Sequence, residues 1–275
     1  MIPKIVFSDV DGTLLKPDGT LSKRTRQVVK QLQESNIPFI LVSARSPQEM
    51  FALYSELKLK SPIVGYNGGM IYEMVGERSI KVFVDYVIPR NELTMMYEMI
   101  TMQFPELNMN LYSGTNWFAG RYDKYLQGEI DLVKIDPEYR ELDEVIESNM
   151  PIHKIMLIGE IETIIQAEKT LKSTAGITAA INRSNPDYLE ITNKNATKLN
   201  GMKTVLEQFY PEIKREEVLA LGDGHNDWDM LQYAGFGVAM ANASDEIKNS
   251  LKYVTASNDD DGFARAVEKF ILNKL

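Results

Sequence analysis

The segment Ile5-Val6-Phe7-Ser8-Asp9-Val10-Asp11-Gly12-Thr13-Leu14-Leu15 decides how the chain is read. Its apolar run is too short for a helix, holds two β-branched residues and suits a buried strand. It passes directly into two carboxylates two residues apart and a Gly-Thr pair that lets the chain turn. From there to about Tyr66, short apolar runs alternate with helical stretches. Ser22 is placed to cap a helix carrying Val28, Val29 and Leu32 on one face. Phe39 to Val42 reads as a strand, Pro47 to Leu57 as a helix opened by its proline, and Ile63 to Tyr66 as a third strand. This rhythm belongs to a parallel α/β sheet.

The rhythm changes from about Val82 to Ile191. Strands are predicted over Val82 to Ile88, Leu107 to Leu111, His153 to Ile158, Ile177 to Ile181 and Tyr188 to Ile191, with a turn at Ser113-Gly114-Thr115-Asn116. Helices are predicted near Glu92 to Met102 and Ile161 to Lys172. After about Asn195 the βα pattern returns: helix Thr197 to Phe209, strand Val218 to Leu221, helix Asp227 to Tyr233, strand Phe236 to Ala239, and helices Asp245 to Leu251 and Gly262 to Ile271. The expected fold is α/β, a Rossmann-like parallel-sheet core from residues 1–83 and 191–275, split by an inserted α+β domain over residues 84–190.

At 275 residues the chain exceeds the usual domain of about 100 to 150, which agrees with two units. A formal charge of -9 gives no basic field for a phosphate backbone, so nucleic acid is excluded as an expected partner. The chain has no cysteine, which removes thiolate metal sites and thiol nucleophiles. No window approaches the roughly 20 apolar residues of a membrane span, and the N-terminus lacks the pattern of a secretory signal, so a cytoplasmic protein without a membrane partner is expected. Oligomeric state is not legible.

Four polar clusters follow four predicted strands: Asp9 with Asp11, Ser43 with Arg45, Asn67, and Asp223 with Asn226 and Asp227. Parallel strands point one way, so these clusters gather at the carboxyl edge, where open α/β sheets bind ligands. Asp9 and Asp11 can hold a divalent cation while one remains a nucleophile or acid; an Asp-Gly hairpin turn is the competing reading. Asp223 and Asp227 begin a helix, where one can ligate a metal and the other orient it, or both can serve a glycine loop and cap. Ser43 is placed to donate to a phosphoryl oxygen. Lys198, where the chain re-enters the core, can neutralise charge. The oxygen-rich set favours Mg²⁺ and leaves His225 out.

Taken together, DVDGTLL at Asp9, the serine of LVSAR, Lys198 and GDGHNDWDML at Asp223 resemble the four motifs of the haloacid dehalogenase superfamily, in its Cof-like branch with a type 2 cap. The resemblance spans essentially the whole chain. It implies that Asp9 is the nucleophile of an aspartyl-phosphate route and Asp11 the general acid and base. It implies that Ser43 and Lys198 bind the phosphoryl group, and that Asp9, the Asp11 carbonyl and Asp223 hold Mg²⁺ with Asp227 beside them. The family often has glycine directly after the lysine, whereas Leu199-Asn200 precede Gly201 here, which leaves Lys203 as an alternative. The insertion would be the cap that selects a small phosphorylated metabolite, with Arg183 in a turn as its foremost candidate contact. A phosphosugar mutase and a non-catalytic ligand-binding protein are the competing functions.

Overall fold

Local signals explain most of the first half of the core. The Ser22 side chain accepts the Thr25 amide and opens α1 (Lys23–Glu34), whose buried stripe is Thr25, Val28, Val29 and Leu32. Before it lies β1 (Ile5–Ser8), and after it β2 (Phe39–Leu41), α2 (Pro47–Leu57), β3 (Ile63–Gly65), β4 (Met70–Met74) and β5 (Ile80–Asp85). The insertion comprises α3 (Arg90–Gln103), β6 (Asn108–Ser113), β7 (Asn116–Ala119), α4 (Lys124–Val133), β8 (Glu138–Tyr139), α5 (Leu142–Glu147), β9 (Lys154–Ile158), α6 (Ile161–Ser173), β10 (Ala180–Asn185) and β11 (Tyr188–Thr192). The chain returns through α7 (Lys198–Phe209), β12 (Val218–Gly222), α8 (Trp228–Tyr233), β13 (Phe236–Ala239), α9 (Asp245–Ser250), β14 (Tyr253–Val254) and α10 (Gly262–Val267). This computed structural model describes residues 2–76 and 78–272.

The chain divides into two compact units, Met1–Arg45 with Phe51–Val84 and Thr197–Leu275, and Ser46–Met50 with Asp85–Ala196. The first is built on a parallel sheet in the order β14-β13-β12-β1-β2. Strand β1 sits between β2, reached early, and β12, reached only after the insertion. The chain therefore departs in opposite directions from the two sides of β1, and the crevice at its carboxyl end is the expected ligand site. Ile5, Phe7, Ile40, Val218 and Ala220 form the core with Met202 and Val205 of α7.

A bridge between Val42 and Val64 carries the parallel direction on to β3, which belongs to a separate three-stranded sheet, β3-β4-β5. The strand expected over Val82 to Ile88 is β5, and it joins this sheet rather than that of the insertion. The reason is tertiary: period-2 patterning identifies a strand but not its partner.

The second unit has a six-stranded sheet, β10-β11-β9-β6-β7-β8, antiparallel except for β7 with β8. One face carries Leu111, Ile155, Leu157, Leu189 and Ile191 against Leu93, Met96, Ile100, Val145, Ile164 and Leu171 of the helices. Glu92 is buried in α3, where its carboxylate accepts hydrogen bonds from the Thr178 and Ala179 amides at 2.7 and 2.9 Å and the Thr178 hydroxyl at 2.8 Å. Among the described residues no helix is long and apolar enough to cross a membrane.

Glu92→Ala would orphan two backbone donors at once. Each buried unmet group costs about 1 to 3 kcal/mol, so chemical denaturation should show a loss of about 2 to 4 kcal/mol. A loss inside about 0.5 kcal/mol would show that this carboxylate is not a structural clamp.

Candidate active site

The four strand-end clusters meet in the first unit. Asp9 leaves β1 with its backbone amide bonded to the Leu221 carbonyl, so the two acidic segments are stitched together by the sheet's last rung. Thr197 caps α7 by accepting the Asn200 amide, which makes Lys198 the first residue of that helix. From there its buried ammonium donates to Asp9 Oδ1 at 2.6 Å and to Asp227 Oδ1 at 2.7 Å. Lys203, the alternative, lies over the Tyr233 ring instead.

Asp227 is fully buried, and its second oxygen accepts the Asp223 and Gly224 amides at 3.1 and 2.9 Å. Both oxygens are thus engaged by donors, one shaping the loop and one holding Lys198. A side chain at Gly222 would collide with this carboxylate, its Cβ falling 2.4 Å from Asp227 Cγ.

Asp223 is anchored by two side chains. Thr13 donates to its Oδ1 at 2.8 Å, and Asn242 donates to its Oδ2 at 3.2 Å and to the Gly12 carbonyl at 2.8 Å. Gly12 has φ +75°, and a Cβ there would fall 2.3 Å from Asp223 Oδ2. Thr13 and Asn242 were not among the residues singled out for the site. Thr13 lies inside the first motif segment and Asn242 after β13, and only the tertiary approach of Asp223 gives them a role.

Asp9, Asp223 and Asp227 bring carboxylate oxygens within 4.8 Å of one another. Burial pushes the Asp9 carboxyl well above the usual carboxylate range, Asp227 adds repulsion, and Lys198 pulls the other way. Burial also raises Asp223, opposed by the Thr13 hydrogen bond. Lys198 is raised although burial opposes it, because Asp227 and Asp9 surround it with negative charge, so it stays an ammonium. One ammonium against three carboxylates leaves the pocket short of positive charge. The donor set is all oxygen, partly buried and acidic, which fits a hard divalent cation.

The remaining predicted residues line the same edge. Ser43 is buried, its Oγ accepts the Arg45 amide at 3.1 Å, and its hydroxyl hydrogen remains available to donate. Arg45 holds Asp11 with two bonds, 2.9 Å from Nε to Oδ2 and 2.6 Å from Nη2 to Oδ1. Asn67, with left-handed φ of 57°, accepts from Asn226 Nδ2 at 3.0 Å. His225 is exposed, stacks on Trp228 and lies 4.0 Å from the Glu246 carboxylate. Arg183 belongs to the second unit, on β10, where its Nε pairs with Glu168 of α6 at 2.7 Å.

Removing the shared cation tests this geometry. Lys198→Met would leave Asp9 and Asp227 buried without a counter-charge, and denaturation should show a loss of about 3 to 5 kcal/mol. A loss under about 1 kcal/mol would mean that the ammonium is not what holds the two acids.

A sequence profile of the haloacid dehalogenase-like hydrolases matches residues 6–267. A Haemophilus influenzae relative named "Putative phosphatase" is 36% identical over 270 residues, which is 98% of each chain. A Bacillus subtilis 5-amino-6-(5-phospho-D-ribitylamino)uracil phosphatase is 24% identical over 269 residues, 98% of this chain and 96% of its own. Among solved structures, a haloacid dehalogenase-like hydrolase from Bacteroides thetaiotaomicron superposes with a TM-score of 0.86 at 30% identity, covering 97% of this chain and 99% of that one. A subclass IIB sugar phosphatase of the same superfamily shares the fold, with a TM-score of 0.81 at 22% identity over 97% of this chain and 98% of its own. With the match running from β1 to the last helix, and with both acidic motifs inside it, this chain belongs to the haloacid dehalogenase-like hydrolase family.

Proposed function

We propose that the protein hydrolyses phosphate monoesters of small metabolites, such as sugar phosphates, with Asp9 as the nucleophile. The observation that carries this reading is the buried ion array in which Lys198 touches both Asp9 and Asp227. Such a lysine holds the nucleophile in one orientation and keeps a third N–H for a phosphoryl oxygen. Relatives named as phosphatases support the same reading.

Asp9 attacks phosphorus and the bond to the leaving oxygen breaks, giving an aspartyl-phosphate. Asp11, on the turn after β1, protonates the departing oxygen once it leaves the grip of Arg45. Water then attacks phosphorus, Asp11 takes its proton, and inorganic phosphate leaves with the Asp9 carboxylate restored. Ser43 donates to the phosphoryl group, while Arg45, Asn67 and Asn226 supply further polar groups at the same edge. Asp9, the Asp11 carbonyl and Asp223 would hold Mg²⁺, which when bound would supply positive charge that offsets repulsion between the carboxylate and the phosphoryl oxygens. Asp227 orients Lys198 and the loop that carries Asp223.

A phosphate-release assay over a panel of small phosphate esters with Mg²⁺ tests the function, and a mutase would give isomerised product without net release. Asp9→Asn should abolish turnover on every ester with the fold intact. Asp11→Asn should lower kcat by about 10²- to 10⁴-fold, most for poor leaving groups. Wild-type rates in Asp9→Asn would remove the nucleophile assignment.

The metal has its own readout. Mg²⁺ at about one hundred times its Kd should add about 2.7 kcal/mol to the unfolding free energy, and Asp223→Asn should abolish most of that gain. Ca²⁺ should bind yet support little turnover, because its looser shell can engage both Asp9 oxygens. Equal stability with and without Mg²⁺, or equal rates with the two ions, would contradict the assignment.

A further inference from the structure

The Asp11 carbonyl differs from the other proposed metal ligands in having no side chain to aim it. A backbone oxygen points where the chain on either side of it points, so the turn after β1 has to be held from outside if that oxygen is to keep one direction. On the near side the sheet holds it, through the Asp9 amide on the Leu221 carbonyl. Within the turn the Leu14 and Leu15 amides both donate to the Val10 carbonyl, at 3.0 and 2.9 Å. The far side is held by two asparagines, which lie 230 and 243 residues further along the chain than the carbonyls they bind.

Asn242 uses both ends of its side-chain amide. Nδ2 donates to the Gly12 carbonyl at 2.8 Å and to Asp223 Oδ2 at 3.2 Å, and Oδ1 accepts the Asn258 amide at 3.1 Å. An amide NH₂ has two hydrogens, and both are spent here. The flipped orientation would set Oδ1 against two acceptors, so only one arrangement of this group is favourable. Asn258 extends the restraint, its own Nδ2 donating to the Leu15 carbonyl at 2.8 Å. Two carbonyls of one turn and the Asp223 carboxylate are thereby tied to a single loop.

That loop, residues 255–262, is firmly tied. The Thr255 amide donates to the Ala239 carbonyl of β13 at 2.9 Å, the Thr255 hydroxyl to the Gly262 carbonyl at 2.8 Å, and the Gly262 amide to the Ser257 carbonyl at 2.8 Å. The Ser257 hydroxyl donates to Asp260 Oδ2 at 2.7 Å. A Cβ on Gly262 would fall 2.0 Å from the Ala256 carbonyl oxygen, so the loop closes tightly on itself. Asn242 is exposed and Asn258 half-buried. Hydrogen bonds that compete with water stabilise a fold little, so three on one exposed amide are better explained by what they orient.

We propose that Asn242 and Asn258 are positioning residues, a brace that holds the Asp11 carbonyl and the Asp223 carboxylate ready for one divalent cation, an assignment that rests on the metal-dependent reading above. Neither asparagine acts on the substrate. The brace fixes the ligands before the cation arrives, so its loss is read in metal affinity rather than in the chemical step at saturating metal.

Titration calorimetry with Mg²⁺ alone, on the full chain without substrate, compares the wild type with Asn258→Ala, Asn242→Ala, Asp223→Asn and Asp259→Ala. Asn258→Ala removes only the bond to the Leu15 carbonyl, so it stays folded if the more heavily bonded Asn242→Ala does not. Asp259→Ala cuts the loop's outer ion pair with Lys16, 3.3 Å long, and is the control. In each folded asparagine variant the Mg²⁺ Kd should rise about 10- to 100-fold. In Asp259→Ala it should change less than about twofold. Phosphate release by the asparagine variants should need correspondingly more Mg²⁺ for its half-maximal rate, with kcat at saturating Mg²⁺ within about threefold of wild type. Wild-type Mg²⁺ affinity in the asparagine variants beside lost affinity in Asp223→Asn, or an equal loss in Asp259→Ala, would overturn the brace and leave the metal site standing. Weakened Mg²⁺ binding by the asparagine variants of a protein that releases no phosphate would keep the brace and discard the phosphatase reading. A wild type that binds no Mg²⁺ would overturn both.

Discussion

One buried ammonium organises the first unit. Lys198 begins the helix that follows the insertion, and it reaches Asp9 at the end of the first strand and Asp227 at the start of α8. The ion array therefore joins parts of the sequence that the insertion separates, 189 residues apart for Lys198 and Asp9. Pairing in a dry environment works only when each partner is fully used, since any one left alone is costly. That requirement explains why Asp227 spends one oxygen on Lys198 and the other on the amides of Asp223 and Gly224.

The same array sets the electrostatic task of the site. Three carboxylates and one ammonium leave excess negative charge at the place where an anionic phosphoryl group has to arrive. A divalent cation resolves this, and Thr13 and Asn242 hold Asp223 ready to receive one. Everything in this cluster addresses what all phosphate monoesters share, the phosphoryl group and its charge. Choice among esters has to come from other groups.

Much of this was legible in the sequence because local signals agreed with the fold. The proline at Pro47 and the apolar spacing define α2 at the expected residues, and Ser22 caps α1 as its position suggests. Strand ends then located Asp9, Ser43, Asn67 and Asp223 without reference to any contact. Other features had no local signature. The partner of β5 was hidden because alternation does not name the neighbouring strand, and the short helix α5 offers few turns of periodicity. Thr13 reads as a turn residue, and Asn242 has no reading of its own, until Asp223 is placed beside them. For Arg183 a signal was present: two residues after buried Ile181, it had to point to the same, packed side of its strand.

The account stands or falls on covalent attack by Asp9, and the stereochemistry at phosphorus reads this directly. A substrate made chiral at phosphorus with oxygen isotopes and sulfur would be hydrolysed in isotopically labelled water, and the configuration of the thiophosphate product determined. Two successive in-line displacements, by Asp9 and then by water, predict net retention. Net inversion would mean that water attacks the ester in a single step, and Asp9 would then be a metal ligand or a base but not the nucleophile.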